Sequence, residues 1–239
     1  MDLIFEGIKK AFVLIFTGDR TILEILLLTI KVSGIAVIIS MILGIPLGFI
    51  VGLNNFRGKR VLTAFINTGM GLPPVAAGLL IALLFWRSGP FGFMGLMYTP
   101  TVMIIAQVVI ASPIIAGITM AAVGQINPKL KLQAISLGAD RLQMSWLIFK
   151  EAKLPALSAI MAGFGGIISE VGAVMMVGGN IKGDTRVLTT AALQMVRMGE
   201  FATAIALIII LLVLVFAINF ILTLIQQKDK EKWQIKYWK

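Results

Sequence analysis

The side chains that could do chemistry in this 239-residue chain are mainly uncharged hydroxyls and amides, since the sequence contains neither cysteine nor histidine. That absence excludes disulfides, thiolate nucleophiles, histidine general bases and most zinc sites. Hydroxyls, amides and backbone N–H groups at helix ends can instead pass an anion along without binding it tightly. Each of them could equally cap a helix or bond to a neighbouring helix. The candidates for the path or its gate lie near the ends of apolar segments: Thr68, Ser169, Asn180, Thr185, Thr189 and Thr190, together with Pro73 and Pro74.

Glu170 is an acidic residue within an apolar segment, where a carboxylate is costly and often functional. A bare carboxylate beside a path for anions would repel them, so we predict a structural role. Lys31 lies in the outer part of the first apolar segment and could reach a similar depth. We therefore predict a buried Lys31–Glu170 ion pair, in which removal of one partner is strongly destabilising. The sequence has no paired carboxylates and no metal-ligating cluster, and predicts no catalytic residue, no metal site and no enzyme.

The composition is that of an integral membrane protein. Hydrophobic residues make up 59% of the chain, charged residues make up 13%, and the mean hydropathy is +0.99. Soluble domains carry roughly 25% charged residues. The net charge of +10 could suggest nucleic acid, but the basic residues cluster in short loops beside apolar runs, as the positive-inside rule predicts. We therefore expect no nucleic-acid partner and a location in the cell membrane.

Five apolar segments are long enough to cross a bilayer as helices, which takes about 20 residues each. Residues 1–20 contain a run too short to span, and predict an amphipathic helix at the membrane interface. Residues 21–226 form the membrane domain, and residues 227–239 form a basic tail suited to anionic lipid. The five predicted spans lie within residues 26–53, 62–86, 101–123, 154–177 and 202–225.

The distribution of basic residues predicts the orientation of these spans. With five spans, thirteen Lys and Arg residues fall on one side of the membrane and seven on the other. The side with the excess is the cytoplasmic one. The N-terminus is therefore expected outside and the C-terminus in the cytoplasm, and the long loop of residues 127–153 is cytoplasmic.

Helix-start and helix-end residues divide this loop into two parts. Asn127 and Pro128 suit the first positions of a helix, and Gly138 suits its C-terminal end. Asp140 and Gln143 match a capping box that opens a second helix. We predict two short helices joined by a tight turn, followed by the fourth span, which would begin at Pro155.

An apolar stripe runs along the loop. Its members recur at helical spacing: Leu132, Ile135, Ala139, Leu142, Trp146 and Phe149. A bent helical pair that projects from a membrane bundle suits docking into a groove of a partner protein. The alternative is an ordinary amphipathic helix that rests on the membrane surface.

The loop resembles the cytoplasmic loop of ABC importer permeases, in which an acidic-Ala-Ala segment precedes a glycine and the loop ends in Leu-Pro. Two features depart from the family pattern: Leu132 replaces the usual acidic residue, and the interval from glycine to proline is about one helical turn longer. The resemblance implies a coupling helix that sits in a cleft of a cytoplasmic ATPase. The corresponding residues are Leu132, Gln133 and Ala134, then Gly138 and Ala139 with the adjacent Asp140, then Leu154 and Pro155.

A second stretch is similar to permeases that import molybdate, sulfate and tungstate. Its sequence, at residues 168–194, is ISEVGAVMMVGGNIKGDTRVLTTAALQ, and it is most similar to tungstate permeases. NTGMGLPP at residues 67–74 fits the same subfamily. The resemblance implies the all-α transmembrane domain of a type I ABC importer, which passes a tetrahedral oxyanion. Molybdate or sulfate is the alternative cargo.

The same resemblance implies a set of partners. Two such chains would form a homodimer that works with two ABC ATPase subunits and an extracytoplasmic tungstate-binding protein. ATP and Mg²⁺ would bind to the ATPase, and this chain would hold no cofactor. Independently of the family, the sequence has no G-x-x-x-x-G-K-[ST] phosphate loop. A secondary transporter is the less favoured alternative, because the chain has no inverted repeat and an odd number of predicted spans.

Overall fold

The computed structural model describes residues 2–237, and it describes their side chains except at positions 2, 15, 16 and 229–237. Within these residues the chain is helical and contains no β-strand. A short 3-10 turn, Gly92–Met94, lies between the fourth and fifth α-helices. The ten α-helices are α1 (Asp2–Phe16), α2 (Arg20–Leu53), α3 (Lys59–Met70), α4 (Pro74–Phe85), α5 (Pro100–Gly124), α6 (Pro128–Ser136), α7 (Arg141–Ile168), α8 (Gly172–Gly178), α9 (Leu188–Arg197) and α10 (Phe201–Tyr237).

Four of these helices are long and apolar enough to cross a membrane: α2, α5, α7 and the Phe201–Lys228 part of α10. Helices α3 and α4 pass the same test together, but they are bent by 102°. The predicted count of five spans holds when this pair is counted as one span. The second span is not the single helix that its hydropathy predicts, because Pro73 and Pro74 come shortly after the end of α3 at Met70 and lack the backbone N–H groups that would continue its hydrogen bonds.

The second helix of the loop does not end before Pro155, as the sequence predicts. Helix α7 begins at Arg141, contains Pro155 in its interior and ends at Ile168. The second loop helix and the fourth span are therefore one continuous helix of 28 residues. A proline inside a membrane helix is tolerated where neighbouring groups satisfy the freed backbone carbonyl. The predicted fourth span, residues 154–177, is also not one continuous helix, because α7 ends at Ile168 and α8 begins at Gly172.

Close packing of α2 against α5 forms the centre of the bundle. Gly44, Gly48 and Gly52 recur every four residues and so share one face of α2. A methyl group added at Gly44 would stand 2.9 Å from the carbonyl oxygen of Ser112, and one added at Gly48 would overlap the carbonyl oxygen of Ala116. Small residues allow helix backbones to approach this closely inside a bilayer.

Helix α1 matches the amphipathic helix predicted near the N-terminus. It packs on α10, with Gly7 against Ile205 and the Lys10 Nζ donating to Thr203 Oγ1 at 2.7 Å. Its position at a membrane interface remains a prediction. The basic tail of residues 227–239 continues α10 to Tyr237, while its side chains from residue 229 onward lie outside the described residues.

Candidate functional site

The loop between α5 and α7 begins with the predicted short helix. The side chain of Asn127 accepts a hydrogen bond from the Lys129 backbone N–H at 2.9 Å, and Pro128 occupies the first helical position. The helix ends before Gly138, whose φ of +81° is a left-handed conformation that favours glycine. The backbone N–H of Gly138 donates to Ile135 at 2.9 Å and that of Ala139 to Ala134 at 3.0 Å. This is the tight turn that the sequence predicts.

A capping box then starts α7. The Asp140 carboxylate accepts from the Gln143 backbone N–H at 2.7 Å, and the Gln143 side chain accepts from the Asp140 backbone N–H at 3.0 Å. Both bonds satisfy donors that have no partner within a helix at its N-terminus. The predicted capping box is therefore confirmed, and it fixes the direction in which α7 leaves the loop.

The loop exposes an apolar surface. Leu137 and Leu142 are 87% and 80% exposed on either side of the turn. Trp146 and Phe149 stack with ring centroids 5.8 Å apart, and Phe49 of α2 packs edge-on to Phe149 at 6.0 Å. Ala134 is buried. The exposed set, named here the loop surface, is Leu132, Ile135, Leu137, Leu142, Trp146 and Phe149.

At the far end of α7, two helix breaks lie against each other. One is the bend between α3 and α4, and the other is the interval of residues 169–171 between α7 and α8. A methyl group added at Gly78 of α4 would stand 2.5 Å from the Cα of Ala173, and one added at Gly172 would stand 2.8 Å from the Val75 side chain. The first turns of α4 and α8 are therefore in direct contact.

Glu170 lies in the second break, and its carboxylate caps α8. Its Oε1 accepts a hydrogen bond from the Ala173 backbone N–H at 2.8 Å, and the side chain is buried. Lys31 is exposed and has no hydrogen bond or ion pair with any residue that the structure describes. The predicted Lys31–Glu170 ion pair is therefore wrong: a backbone N–H three residues ahead satisfies the carboxylate instead.

Threonine hydroxyls hold the segment that follows α8, residues 179–187, in place. Thr185 Oγ1 donates to the Gly178 carbonyl at 2.5 Å and accepts from the Ile181 N–H at 2.9 Å. Thr189 Oγ1 donates to the carbonyl of Glu170 at 3.1 Å, so it ties the start of α9 to the second break. Asn180 Nδ2 donates to Gln194 Oε1 at 2.7 Å. These side chains make the caps and interhelical bonds that were the alternative to a role in the path.

The other candidates of the path lie at the two breaks. Thr68 is exposed near the end of α3, and Pro73 and Pro74 are exposed at the start of α4. Ser169 is exposed at the end of α7, where its hydroxyl donates to the Gly165 carbonyl at 2.7 Å. The structure thus separates the candidates into an exposed group at the breaks and a second group, the buried Thr185 and Thr189 with the half-buried Asn180, that holds the following segment.

Two polar residues of this region were not predicted from the sequence. Thr29 of α2 accepts a hydrogen bond from the Leu188 backbone N–H at 3.0 Å. Gln107 of α5 is buried next to the second break and donates to the Ile167 carbonyl at 3.4 Å, while its Oε1 has no partner in the described part of the chain. A polar residue inside an apolar span is the signal that could have found both. Among the described residues, no group of three or more Asp and Glu side chains could hold a metal ion.

Comparison with known proteins agrees with this architecture. Residues 44–230 match the family model described as binding-protein-dependent transport system inner membrane component. The chain is 40% identical over 228 residues to the tungstate uptake system permease protein TupB of Peptoclostridium acidaminophilum, covering 95% of this chain and 100% of that protein. It is 35% identical to the TupB of Campylobacter jejuni, covering 92% of each chain.

A solved structure gives the fold. The methionine ABC transporter MetNI, in an inward-facing conformation, superposes with a TM-score of 0.74 at 19% identity over 88% of this chain and 97% of that one. The fold is therefore that of a type I ABC importer transmembrane domain, as the resemblance implies. The chain belongs to the family of binding-protein-dependent transport system inner membrane components.

Proposed function

We propose that this chain is the membrane-spanning permease subunit of an ATP-driven oxyanion importer, with tungstate as its cargo. The observation that carries the proposal is its 40% identity, over nearly the whole chain, to a tungstate uptake permease. A probable anion permease of Haloferax volcanii, 39% identical over 203 residues, points to the same class of cargo. Molybdate or sulfate is the alternative, and sulfate permeases are related at lower identity.

We infer that the loop surface docks on a separate ATPase subunit, which binds the ATP and Mg²⁺. Six apolar side chains exposed around one capped turn are costly in water, and burial of such a surface stabilises a complex. The turn itself is held by Gly138 and by the capping box, so the surface has a defined shape. The residues proposed to couple the two subunits are Leu132, Gln133, Ala134, Gly138, Ala139 and Asp140.

Helix α7 gives this docking surface a direct connection to the two breaks. Its 28 residues extend for about 42 Å at 1.5 Å per residue. One end is the capped turn at Asp140, and the other is the break that contains Glu170. Displacement of the loop by a partner would therefore be transmitted along one continuous helix to the second break.

The path for the anion is proposed to pass the exposed residues at the two breaks, which are Thr68, Pro73, Pro74 and Ser169. Irregular backbone inside a membrane is tolerated where it lines a cavity, and it offers free N–H groups to an anion. Asn180, Thr185 and Thr189 are proposed to form the gate by holding the segment after α8 against the second break. Their hydroxyl and amide groups would affect the path indirectly, by holding that segment in position.

The remaining parts of the proposal concern assembly and location. Two copies of the chain would enclose the path, with two ATPase subunits on the side of the loop surface and a binding protein on the opposite side. The protein is a multi-pass component of the inner membrane, with its N-terminus outside and its C-terminus in the cytoplasm. Residues 1–20 would lie at the interface, residues 21–226 would form the transport domain, and residues 227–239 would contact anionic lipid.

Uptake into proteoliposomes tests the function. The chain, an ATPase and a tungstate-binding protein from the same genome are reconstituted, and ATP-dependent tungstate uptake is measured with molybdate and sulfate as competitors. We expect ATP-dependent tungstate uptake that molybdate inhibits only weakly. Preferred uptake of molybdate or sulfate would show that tungstate is not the cargo. An intact complex with no ATP-dependent oxyanion uptake would overturn the proposal.

Cysteine labelling tests the path, because the natural chain has no cysteine. Thr68→Cys and Ser169→Cys are exposed to a small charged thiol reagent during turnover, with Leu212→Cys on the exposed face of α10 as the control. Modification of the two break variants is expected to stop uptake, and excess tungstate should slow it. Equal inhibition of all three variants would argue against a path at the breaks.

A further inference from the structure

A cup of about 290 Å³ lies between the first turns of α2 and the segment that follows α8. Lys31 of α2 and Lys182 and Arg186 of the segment line it, and Glu24 supplies the only carboxylate among its lining residues. The cup is at the end of the bundle opposite the loop surface. This is the external end in the proposed orientation.

The positive charges of the cup are not neutralised. The Glu24 carboxylate already pairs with Arg20 at 3.1 Å. Neither Lys31 nor Lys182 has a hydrogen bond or an ion pair with any residue that the structure describes. Arg186 donates from Nη2 to the carbonyl of Asn180 at 3.3 Å, and its buried Nε has no partner in the same part of the chain.

Like charges gathered around one small cup repel one another, and a bound anion removes this cost. We propose that the cup binds a tetrahedral oxyanion on the external face of the permease. The inference rests on the proposed function and names the residues that the cargo would meet first. Lysine and arginine side chains are suited to a compact dianion, since they offer charge and several N–H donors together.

The position of the cup favours the cargo over a phospholipid phosphate as the source of this oxyanion. Lys182 and Arg186 lie on the same segment as Thr189, which is bonded to the Glu170 carbonyl at the second break. An anion held by this segment would therefore be close to the gate. A lipid headgroup has the same tetrahedral chemistry, and the experiment separates the two sources.

The test is a titration of the intact transporter, purified in lipid-free detergent, with sodium tungstate. Lys31→Gln and Lys182→Gln each remove one charge from the cup, and Arg87→Gln removes one from an exposed residue at the same end outside the cup. Each cup variant is expected to weaken tungstate binding about 10-fold, and the control by less than about 2-fold. Higher salt should weaken binding by the wild type more than by the variants, because exposed charges are screened.

Two further measurements keep the result interpretable. Thermal unfolding and ATPase content show whether a variant is intact, and Lys182→Arg, which keeps the charge, should restore most of the affinity. Tungstate binding by cup variants equal to wild type would overturn the proposal. If the cup variants lose bound phospholipid phosphorus but bind tungstate as the wild type does, the cup binds a lipid headgroup. If they lose only affinity for the binding protein, the cup is a protein-docking site. Either result overturns the proposal that the cup binds the cargo.

The titration is independent of transport. A wild-type complex that binds tungstate at the cup but imports none would contradict the proposed function and leave the site in place. A complex that imports tungstate with the same KM in wild type and cup variants, and binds it equally, would contradict the site and leave the function in place.

Discussion

The hydroxyl of Thr29 accepts a hydrogen bond from the backbone N–H of Leu188 at 3.0 Å, across 159 positions of sequence. The same hydroxyl donates to the carbonyl of Ile25 at 2.7 Å. Thr29 and Leu188 are both buried. One side chain of α2 thus anchors the first residue of α9, whose second residue, Thr189, is bonded to the second break.

Replacement of Thr29 by valine is therefore expected to loosen this anchor. The change keeps the shape of the side chain but leaves the buried Leu188 N–H without an acceptor, which costs about 1–3 kcal/mol. Thermal unfolding in detergent and proteolysis between residues 179 and 200 measure the effect. Thr29→Ser keeps the hydroxyl and should behave nearly as wild type, and equal losses in the serine and valine variants would point to packing instead.

The contribution of Glu170 to the free energy of unfolding should not depend on Lys31. Since its carboxylate caps α8 through Ala173, Glu170→Ala is expected to lower the free energy of unfolding by about 1–2 kcal/mol, whereas Glu170→Gln retains an acceptor and should cost less. A double-mutant cycle with Lys31→Met measures the coupling between the two side chains, and it should be close to zero. A coupling on the order of 1 kcal/mol or more would restore the ion pair that the sequence suggested.

Variants of Gly138 should distinguish an effect on coupling to the ATPase from an effect on folding. At a φ of +81°, a residue with a Cβ is strained by roughly 1–2 kcal/mol. Gly138→Val should therefore disturb the turn and reduce ATP-dependent uptake more than it reduces the stability of the membrane domain. Gly138→Asn is the matched control, because asparagine tolerates this conformation. Uptake and ATPase activity are compared in the same vesicles, and unchanged coupling in the valine variant would argue against this turn as the mechanical contact.

The loop surface should govern attachment of the ATPase. Leu137→Gln and Leu142→Gln remove exposed apolar contacts at the turn, and each is expected to weaken ATPase binding about 10-fold if the side chain is buried in the complex. Phe93→Gln changes a residue that is 85% exposed at the other end of the bundle and serves as the control. Co-purification measures the effect, and retention of the ATPase by both leucine variants would exclude the surface.

Local signals allowed much of the loop to be predicted from the sequence. Asn127 and Pro128 stabilise the helix that they start, and Asp140 and Gln143 bond to each other three residues apart. In each case the hydrogen-bonding partners lie within the same short motif. The bonds that fasten the breaks are different. The partner of Thr29 is Leu188, which is 159 residues away in the sequence. The residue pattern of α2 alone cannot identify this partner.

The failures have a related physical cause. The sequence predicts a boundary at Pro155, yet α7 is continuous through this proline, which a membrane helix tolerates where neighbouring groups satisfy the freed carbonyl. Hydropathy located the second span but not its 102° bend, since a window average does not register a change of direction. The Lys31–Glu170 pair was inferred from depth alone, whereas the local N–H of Ala173 was nearer to the carboxylate than any distant cation.

Two glycines of α2 offer a final test of the close packing. Gly48 faces the Ala116 carbonyl and Thr119 of α5, whereas Gly34 has nothing within 4 Å of an added methyl group. Gly48→Ala must therefore push α2 away from α5, at a cost of about 1–3 kcal/mol. Gly34→Ala should be neutral or stabilising by up to about 1 kcal/mol, because alanine favours the helix. Midpoints of thermal unfolding measured side by side check the difference, and similar midpoints for the two variants would contradict the packing of α2 on α5.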